Sequence, residues 1–487
     1  MLFAFSCIAK TLPQSWSTQV TASLVSLAML VTSTFAQSQN SEVEAAKKPN
    51  VLFIAVDDLN DWTGHLAGHP QSKTPNIDRL VARGVTFTNA HCVAPACNPS
   101  RAGLMSGLRP WQTGVYTNGD PAQGVMHDTL TINRHFLANG YKVLGGGKIY
   151  HGFGSEGRQD TWSEWKGLFP SVGDKERNLN GLGKSHFDWG AIPAQASDMG
   201  DHKLTDWAIE QLRKPSDQPL FLAVGYVKPH LPWHVPQEYF DRFPLETIQL
   251  PVTTQNDLAD VPEAGRKMAN PSGDHAAVLK ADQWKKGVQG YLATISFLDD
   301  EVGRLLRGLE ESPRANETIV VWWTDHGWHL GEKEHWRKFA LWEKATRTSF
   351  AISAPGVTSA GVKCAAPVDY LSVYPTLCEL AGLKTPSHVS GPSLLPLLKD
   401  AAAPWPHVAV CTHGRGNHAA RDDRYRYIRY ENGDEELYDH RNDPHEWSNL
   451  ATRADLAEVK QRLAKSFPTV EVSPTAGKAK RKAKGDD

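Results

Sequence analysis

Short apolar runs alternate with amphipathic segments along most of the chain. Nearly continuous apolar runs fill residues 51–56, 220–224, 319–323 and 350–352. Runs of this length are typical of strands covered on both faces of a sheet. Apolar residues within 288–309 recur on one helical face, which predicts a long amphipathic helix before the third run. The alternation predicts an α/β fold built around a mostly parallel sheet.

The pattern changes after Pro404. Short aromatic segments of alternating polarity follow, such as residues 425–430. Asn432 and Gly433 supply turn residues directly after that segment. We therefore predict a second, smaller region built on an antiparallel sheet.

The amino-terminal segment has the pattern of a signal peptide. Lys10 precedes an apolar, small-residue stretch at 20–36, and Thr34 and Ala36 lie where a signal peptidase cuts. An uncleaved membrane anchor is the alternative, but the stretch is short and contains Thr and Ser. We predict export to the periplasm or the medium, without stable insertion in a membrane.

These patterns divide the chain into five predicted segments. Polar residues without an apolar period separate the signal from the fold, and lysines surrounded by alanines end the chain. The predicted segments are a signal peptide at 1–36, a linker at 37–48, a catalytic α/β domain at 49–403, a C-terminal α+β subdomain at 404–470 and a basic disordered tail at 471–487.

The overall charge and the cysteine count constrain the partners and the compartment. The 487 residues carry a formal net charge of −2, which gives no global attraction to nucleic acid. Any anionic substrate must therefore be held by local positive charge. Of six cysteines, Cys7 lies in the predicted signal, which leaves an odd number in an exported chain. An odd cysteine can be a reactive one, and Cys364 and Cys378 can form a disulfide in an oxidising compartment.

Acidic residues follow two of the predicted strands. Asp57 and Asp58 come directly after the run at 51–56, and Asp325 and His326 follow the run at 319–323. A parallel sheet would bring both pairs together at its carboxyl edge. Oxygen ligands suit calcium or magnesium, whereas an imidazole also suits zinc or manganese. The alternative makes Asp57 a helix cap and Asp325 a turn residue.

The segment that begins at Cys97 carries the most specific motif. Cys97-Asn98-Pro99-Ser100-Arg101 resembles the type I sulfatase signature, in which a maturation enzyme oxidises the cysteine to formylglycine (3-oxoalanine). That enzyme reads the positions of Pro99 and Arg101. A hydrated aldehyde has two geminal hydroxyls, so one can attack sulfur and the other can later expel sulfate. The alternative is a structural Cys97, or one paired with Cys92.

The resemblance implies roles for further residues, matched motif by motif. One calcium ion, with magnesium or another divalent metal as alternatives, would be bound by the acidic pairs and the formylglycine oxygen. Arg101 would orient the hydrated aldehyde, His151 would deprotonate it for sulfate release, and His230 or Lys338 would protonate the leaving oxygen. The implied set is Asp57, Asp58, Cys97, Asp325 and His326 for metal, Cys97, Arg101, His151 and His230 for catalysis, and Lys148, Lys228 and Lys338 for sulfate binding.

The resemblance extends from about residue 50 to 450 and looks closest to iduronate 2-sulfatases. Residues 225–230 and 325–328 carry that likeness, including His326, where many sulfatases have Asn. It implies the alkaline-phosphatase-like α/β fold, a large mixed and mostly parallel sheet sandwiched by helices, with the small C-terminal sheet. It also implies hydrolysis of O-sulfate from a carbohydrate, with a 2-O-sulfated uronic acid first and a sulfated galactan or other algal polysaccharide second.

Aromatic residues in the loop at 154–190 give two readings. Trp162, Trp165, Phe187 and Trp189 can form a carbohydrate platform, or they can belong to the core.

Two rival functions remain at this stage. A phosphodiesterase or phosphonate hydrolase of the same superfamily would use the same metal and oxygen nucleophile. An inactive carbohydrate-binding relative would keep the fold without turnover. The intact set of Cys97, both acidic pairs, Lys148, His151 and His230 argues against a mere binder, which needs no convertible nucleophile.

Overall fold

The computed structural model describes residues 48–152, 161–175, 177–184 and 186–475. The predicted signal peptide lies outside the described residues, as do the linker up to residue 47 and the tail from residue 476. Within the described ranges, none of the helices combines the length and the apolar character needed to span a membrane.

Eighteen strands occur in the described residues. Eight of them form the central sheet, in the order β13-β2-β12-β9-β1-β7-β4-β5, and four form the C-terminal sheet, in the order β15-β16-β17-β18. The strands are β1 Asn50–Val56, β2 Val85–Phe87, β3 Ala90–His91, β4 Lys142–Gly147, β5 Glu164–Trp165, β6 Trp189–Ile192, β7 Leu220–Tyr226, β8 Trp233–Pro236, β9 Thr318–Thr324, β10 His329–Leu330, β11 Trp336–Arg337, β12 Phe350–Ser353, β13 Val362–Cys364, β14 Val368–Asp369, β15 Ala409–Thr412, β16 His418–Arg421, β17 Tyr425–Arg429 and β18 Glu435–Asp439.

Fourteen α-helices occur in the same described ranges. They are α1 Pro75–Val81, α2 Cys97–Ser106, α3 Pro110–Thr113, α4 Gln123–Asp128, α5 Ile132–Ala138, α6 Gly200–Arg213, α7 Gln237–Asp241, α8 Glu263–Ala269, α9 Asp274–Lys280, α10 Trp284–Glu310, α11 Glu343–Thr346, α12 Val373–Leu380, α13 Leu395–Lys399 and α14 Ala457–Ala464.

The central sheet is mixed and mostly parallel, as predicted. β1 lies in its middle, parallel to β9 on one side and to β7 on the other, and β4 is parallel to β7. β12 is the exception because it runs antiparallel to both of its neighbours, β9 and β2. A short buried run does not reveal strand direction, so the sequence predicted the strand at 350–352 but not its orientation.

Both faces of the sheet are buried. Along β1, Leu52 and Ile54 belong to one apolar cluster, whereas Val51 and Phe53 belong to the cluster on the other face. This explains why the strands read as continuous apolar runs. The predicted helix at 288–309 is present as the longer α10, which packs against α6 and α1.

The small C-terminal sheet is antiparallel, as predicted, and is covered on both sides. Cys411 and Ile428 point into the core that also contains the central sheet. Val410 and Leu437 point the other way and form a separate cluster with Leu463 of α14. The division between the two predicted domains at residue 403 stays a prediction.

Candidate active site

The two acidic pairs meet at the carboxyl edge of the central sheet. Val56 is opposite Thr324 in the parallel register of β1 and β9, so both strands end at the same level. The Asp58 backbone N–H donates to Asp325 Oδ1 at 3.1 Å. The Asp325 N–H donates to the Val56 carbonyl, with 3.0 Å between N and O. The predicted meeting of Asp57 and Asp58 with Asp325 and His326 is therefore present in the structure.

Cys97 is the first residue of α2 and faces the acidic pairs. Its Sγ lies 3.4 Å from His326 Nε2 and 3.9 Å from Asp58 Oδ1. One donor atom from each of five buried side chains lies within 4.8 Å of the others, and these belong to Asp57, Asp58, Cys97, Asp325 and His326. Such a cluster has the size and the oxygen-rich donor set of a site for one divalent cation.

The hydrogen bonding of Asp58 supports this fit. Oδ1 accepts from the Lys338 ammonium at 2.8 Å, whereas the buried Oδ2 has no hydrogen-bond partner among the described residues. A buried acceptor without a partner is unfavourable unless a ligand satisfies it. A cation held by these residues would supply that partner.

Three basic side chains balance the three carboxylates of the site. Lys338 donates to Asp58, as described above, and Arg101 and Lys148 serve the other two carboxylates. Arg101 is fully buried and donates from Nε to Asp325 at 2.9 Å and from Nη2 to Asp57 at 3.1 Å. The Lys148 ammonium donates to Asp57. Burial alone would raise the pKa of Asp57, but the charges of Lys148 and Arg101 outweigh it and hold this pKa well below its usual range. Asp57 is therefore an anion at neutral pH.

Two ammonium groups flank the sulfur of Cys97. Lys338 Nζ lies 3.0 Å from Sγ, and Lys148 Nζ lies 3.8 Å from it. Burial raises the pKa of the Cys97 thiol, and the two lysines offset only part of that rise. An unmodified thiol at this position stays protonated and is a weak nucleophile.

Two predicted histidines lie beside this cluster. His230 Nε2 is 3.8 Å from Asp58 Oδ2, and its Nδ1 donates to the Leu231 carbonyl. Burial lowers the pKa of His151 to about 3, and the charges of Lys148 and Lys338 add to this effect. Burial also lowers the pKa of His230. Both imidazoles are neutral at neutral pH and can accept a proton.

Lys228 has a different environment from the other two predicted lysines. Its ammonium donates to the Pro232 carbonyl at 2.6 Å, and its backbone N–H donates to Asp201 Oδ2 at 2.8 Å. Both contacts hold the loop that carries His230. The predicted role of Lys228 in sulfate binding stays a prediction.

Several residues support the site through contacts that the sequence did not predict. Ser100 Oγ donates to the Asp325 carbonyl at 2.5 Å, and the Tyr291 hydroxyl donates to the Asp58 carbonyl at 2.7 Å. His335 Nε2 lies 2.6 Å from the Lys338 carbonyl, and the ring of Trp328 lies 5.4 Å from Lys338 Nζ. The sequence predicted no contact for His335, because it does not show which way a loop folds.

Most of the aromatic residues proposed as a carbohydrate platform are core residues. Trp162, Phe187 and Trp189 are buried, and Trp189 stacks on both Trp233 and Trp336. Of the four candidate residues, only Trp165 keeps partial exposure. The core alternative is therefore correct for the buried three.

Comparison with known proteins agrees with this geometry. Residues 49–383 match the family model described as Sulfatase, and residues 331–473 match one described as N-sulphoglucosamine sulphohydrolase, C-terminal. A sulfatase of Formosa agariphila is 41% identical over 447 residues, covering 87% of each chain. The iduronate 2-sulfatase of Homo sapiens is 30% identical over 438 residues, covering 79% of this chain and 77% of its own.

A solved structure extends the comparison to the fold. The phosphonate monoester hydrolase of Agrobacterium radiobacter superposes with a TM-score of 0.71 at 22% identity, covering 86% of this chain and 94% of its own. This likeness confirms the predicted alkaline-phosphatase-like fold. The family match over most of the chain and the two sulfatase relatives decide the class: the chain belongs to the type I sulfatase family and is a sulfatase enzyme.

Proposed function

We propose that this sulfatase removes O-sulfate from a sulfated carbohydrate, with a 2-O-sulfated uronic acid as the first candidate substrate. A sulfated galactan or another algal polysaccharide is the second candidate. The observation that carries the proposal is the position of Cys97, whose sulfur faces the acidic pairs and two ammonium groups. The similarity to the human iduronate 2-sulfatase supports the choice of sugar.

In this proposal, Cys97 is converted to formylglycine by a maturation enzyme. Its hydrate would attack sulfur through one hydroxyl and release sulfate through the other, which an ordinary serine cannot do without a second hydrolysis. One calcium ion, held by Asp57, Asp58, Asp325 and His326, would offset charge on the sulfate and lower the pKa of the nucleophile. The position of Cys97 at the first turn of α2, with its sulfur facing the acidic pairs, supports this arrangement.

The side chains around residue 97 have distinct tasks in the proposed reaction. Lys148 and Lys338 lie on either side of the reacting atom and would bind the sulfate oxygens. Arg101 fixes Asp57 and Asp325, so its main task is to hold the two halves of the site together. Neutral His151 would accept a proton when sulfate leaves.

Protonation of the leaving sugar oxygen needs a group that carries a proton. Burial lowers the pKa of His230, whereas Lys338 has its pKa raised because the attraction of Asp58 outweighs the effect of burial. Lys338 therefore carries a proton at neutral pH, whereas neutral His230, whose Nδ1–H donates to the Leu231 carbonyl, can accept a hydrogen bond from the departing alcohol through Nε2. We propose this division in place of equal roles for the two residues.

The rival reaction, phosphoryl or phosphonyl transfer, is compatible with the same fold. The comparison of sulfate and phosphate monoesters of one alcohol, measured as kcat/KM, separates the two. A preference for the sulfate ester supports the proposal, and a preference for the phosphate or phosphonate ester contradicts it.

The first test is the chemical state of residue 97. The protein is produced beside a formylglycine-generating enzyme, digested, and the peptide that contains Cys97 is weighed. We expect a loss of about 18 Da, the exchange of a thiol for an aldehyde. The matched control is Cys97→Ala, which keeps the fold and has no thiol to convert. An unmodified cysteine in the presence of a working maturation enzyme would contradict the mechanism.

A screen of substrates then tests which sulfated sugar the enzyme accepts. Desulfation of 2-O-sulfated uronic acids is compared with desulfation of sulfated galactans, using the converted protein and the Cys97→Ala control. Activity on the uronic acids alone supports the first candidate. Activity on the galactans alone replaces it with the second.

A further inference from the structure

Two cysteines outside the proposed mechanism face each other in the core. The sulfur atoms of Cys92 and Cys411 are 3.8 Å apart, and both residues are buried. Cys92 follows β3, five residues before Cys97, whereas Cys411 belongs to β15 of the C-terminal sheet. We propose that these two cysteines form a disulfide that fastens the C-terminal sheet to the catalytic region.

The backbones around the two cysteines are already hydrogen bonded. The Thr412 N–H donates to the Val93 carbonyl at 2.9 Å, and the Cys92 N–H donates to the Thr346 carbonyl at 2.9 Å. The two segments are therefore fixed side by side, one residue from each thiol. The present distance exceeds the sulfur–sulfur bond length of about 2.05 Å, so the structure holds two thiols that must move closer for the bond to form.

The other cysteines have different surroundings. Cys97 faces Asp58, His326 and the two lysines, Cys364 Sγ lies 3.5 Å from the Ala401 carbonyl, and Cys378 lies on α12. All five cysteines in the described residues are present as free thiols. Cys92 and Cys411 are the pair whose sulfur atoms are shown in contact, so the geometry favours this pair over Cys364 with Cys378.

The bond would also protect the nucleophile, a consequence that rests on the proposed function. Conversion of Cys97 requires a free thiol, and Cys92 is close to it along the chain. In a chain that folds under oxidising conditions, an unpaired Cys92 can form a disulfide with Cys97 and so block its conversion. Pairing of Cys92 with Cys411 removes that competitor.

The oxidation balances with a partner disulfide. The two thiols lose two protons and two electrons as the sulfur–sulfur bond forms. The electrons pass to the disulfide of a thiol–disulfide oxidoreductase, which is reduced to a dithiol through a mixed disulfide. Because both sulfur atoms are buried after folding, the exchange must take place before β15 closes over Cys92. Export, as predicted, would supply this oxidant.

Peptide mapping without reduction tests the bond. The full-length protein is exported to an oxidising compartment, denatured in an excess of alkylating agent, and digested. We expect the peptides of Cys92 and Cys411 to be joined, with a mass about 2 Da below the sum of the two thiol peptides. Recovery of both cysteines in alkylated form overturns the proposal.

Thermal unfolding tests the fastening role. We expect the melting temperature of the protein to fall by about 3 °C or more when a reductant is present, because a cross-link over more than 300 residues restricts the unfolded chain. Cys411→Ser and Cys92→Ala should start from the lower value and lose the dependence on reductant. Cys378→Ser, the matched control, should keep that dependence. A melting temperature of the parent that does not respond to reductant overturns the role.

The same digests separate this proposal from the proposed function. A joined pair beside an unconverted Cys97 would leave the disulfide in place and remove the formylglycine mechanism. The Cys97→Ala protein should still form the bond. In Cys411→Ser, we expect a linked Cys92–Cys97 peptide and a lower yield of formylglycine.

Discussion

At the scale of single residues, the guanidinium of Arg101 joins the two halves of the candidate metal site. It donates to Asp325 at the end of β9 and to Asp57 at the end of β1, and both bonds are fully buried. The planar fork of an arginine can reach two carboxylates at once, whereas a lysine offers a single point charge. Removal of either partner leaves an uncompensated buried charge, which is costly.

Asp325 is the residue whose loss should most directly affect metal binding. In Asp325→Asn, the side chain loses its charge but keeps its size, so Oδ1 can still accept from Asp58. We expect the bound metal to fall from about one equivalent to a small fraction of one, because hard cations need anionic oxygen. Elemental analysis by mass spectrometry measures this, with Asp282→Asn on the surface as the control. Full metal content in Asp325→Asn would refute the assignment.

Lys338 contributes charge next to the reacting atom. Lys338→Met keeps the length of the side chain but removes the ammonium that lies 3.0 Å from Cys97 Sγ. We expect kcat/KM to fall about 10²–10³-fold, the usual effect of removing one preorganised donor. Lys267→Met, in an exposed pair with Glu263, is the control and should leave kcat/KM unchanged. A loss of less than threefold, of about 0.6 kcal/mol, would show that Lys338 does not contact the sulfate.

His151 should make the protein sensitive to acid. Its pKa in the folded state is lowered from 6.5 to about 3 by burial and by the nearby lysines. Between these two pKa values, His151 binds a proton in the unfolded chain but not in the folded chain. The free energy of unfolding therefore decreases as the pH falls from 6.5 toward 3. His151→Gln should reduce the loss between pH 7 and pH 4.5 by about 2 kcal/mol. Urea unfolding at both pH values measures this, and equal losses in the two proteins would contradict the shift.

At the scale of elements, four neighbouring parallel strands carry the candidate site residues at their carboxyl ends. β9, β1, β7 and β4 all end at one edge of the sheet, and a candidate residue follows each of them within a few positions. α2 then places Cys97 over that edge. Two glycines allow the strand ends to approach one another, since a Cβ on Gly147 would lie 2.0 Å from the Gly225 carbonyl oxygen.

Gly225 offers a test of this close approach. In Gly225→Ala, the new Cβ would lie 2.4 Å from the Lys148 backbone carbonyl, which must shift. We expect kcat/KM to fall at least tenfold because Lys148 moves, and unfolding to become easier by about 2 kcal/mol. The control is Gly124→Ala in α4, where a Cβ meets no atom within 4 Å. Unchanged activity in Gly225→Ala would show that the close approach of Gly225 to the Lys148 backbone is not needed for catalysis.

At the scale of the whole molecule, buried ion pairs hold the C-terminal sheet on the catalytic region. Arg426 of β17 donates to Glu343 of α11, and its Nε lies 2.7 Å from Glu446. His440 also lies 3.0 Å from Glu446. Glu446 and its two partners all belong to the C-terminal part, whereas Glu343 belongs to the catalytic region and is compensated by Arg426 only while the small sheet is docked.

Arg426 gives the strongest test of that docking. Arg426→Met keeps the apolar stem but leaves Glu343 and Glu446 without their main counter-ion. We expect stability to fall by about 3 kcal/mol and the melting temperature to drop by several degrees. Arg453→Met, which breaks an exposed pair with Asp455, should cause no measurable change. Calorimetry measures both, and equal effects of the two changes would contradict the docking role.

The sequence predicted the local features of this protein because short-range patterns carry them. The strands β1, β7 and β9, the helix α10 and the small antiparallel sheet lie where the apolar period placed them, with ends that differ by a few residues. Asp57 and Asp325 could be placed at strand ends for the same reason. The motif at Cys97 identified the family, because its residues are adjacent in the chain and can be read directly.

Only the tertiary structure decided the features that depend on long-range packing. The contact of Cys92 with Cys411 spans 319 positions, and the contact of Arg101 with Asp325 spans 224. The tertiary structure also places Trp189 in the core and turns the Lys228 ammonium toward Pro232, although tryptophan and lysine are both common at binding sites. The sequence by itself determined which chemical groups are present and which strands carry them. The fold decided which groups meet, because burial, charge and direction are set by neighbours that lie far away along the chain.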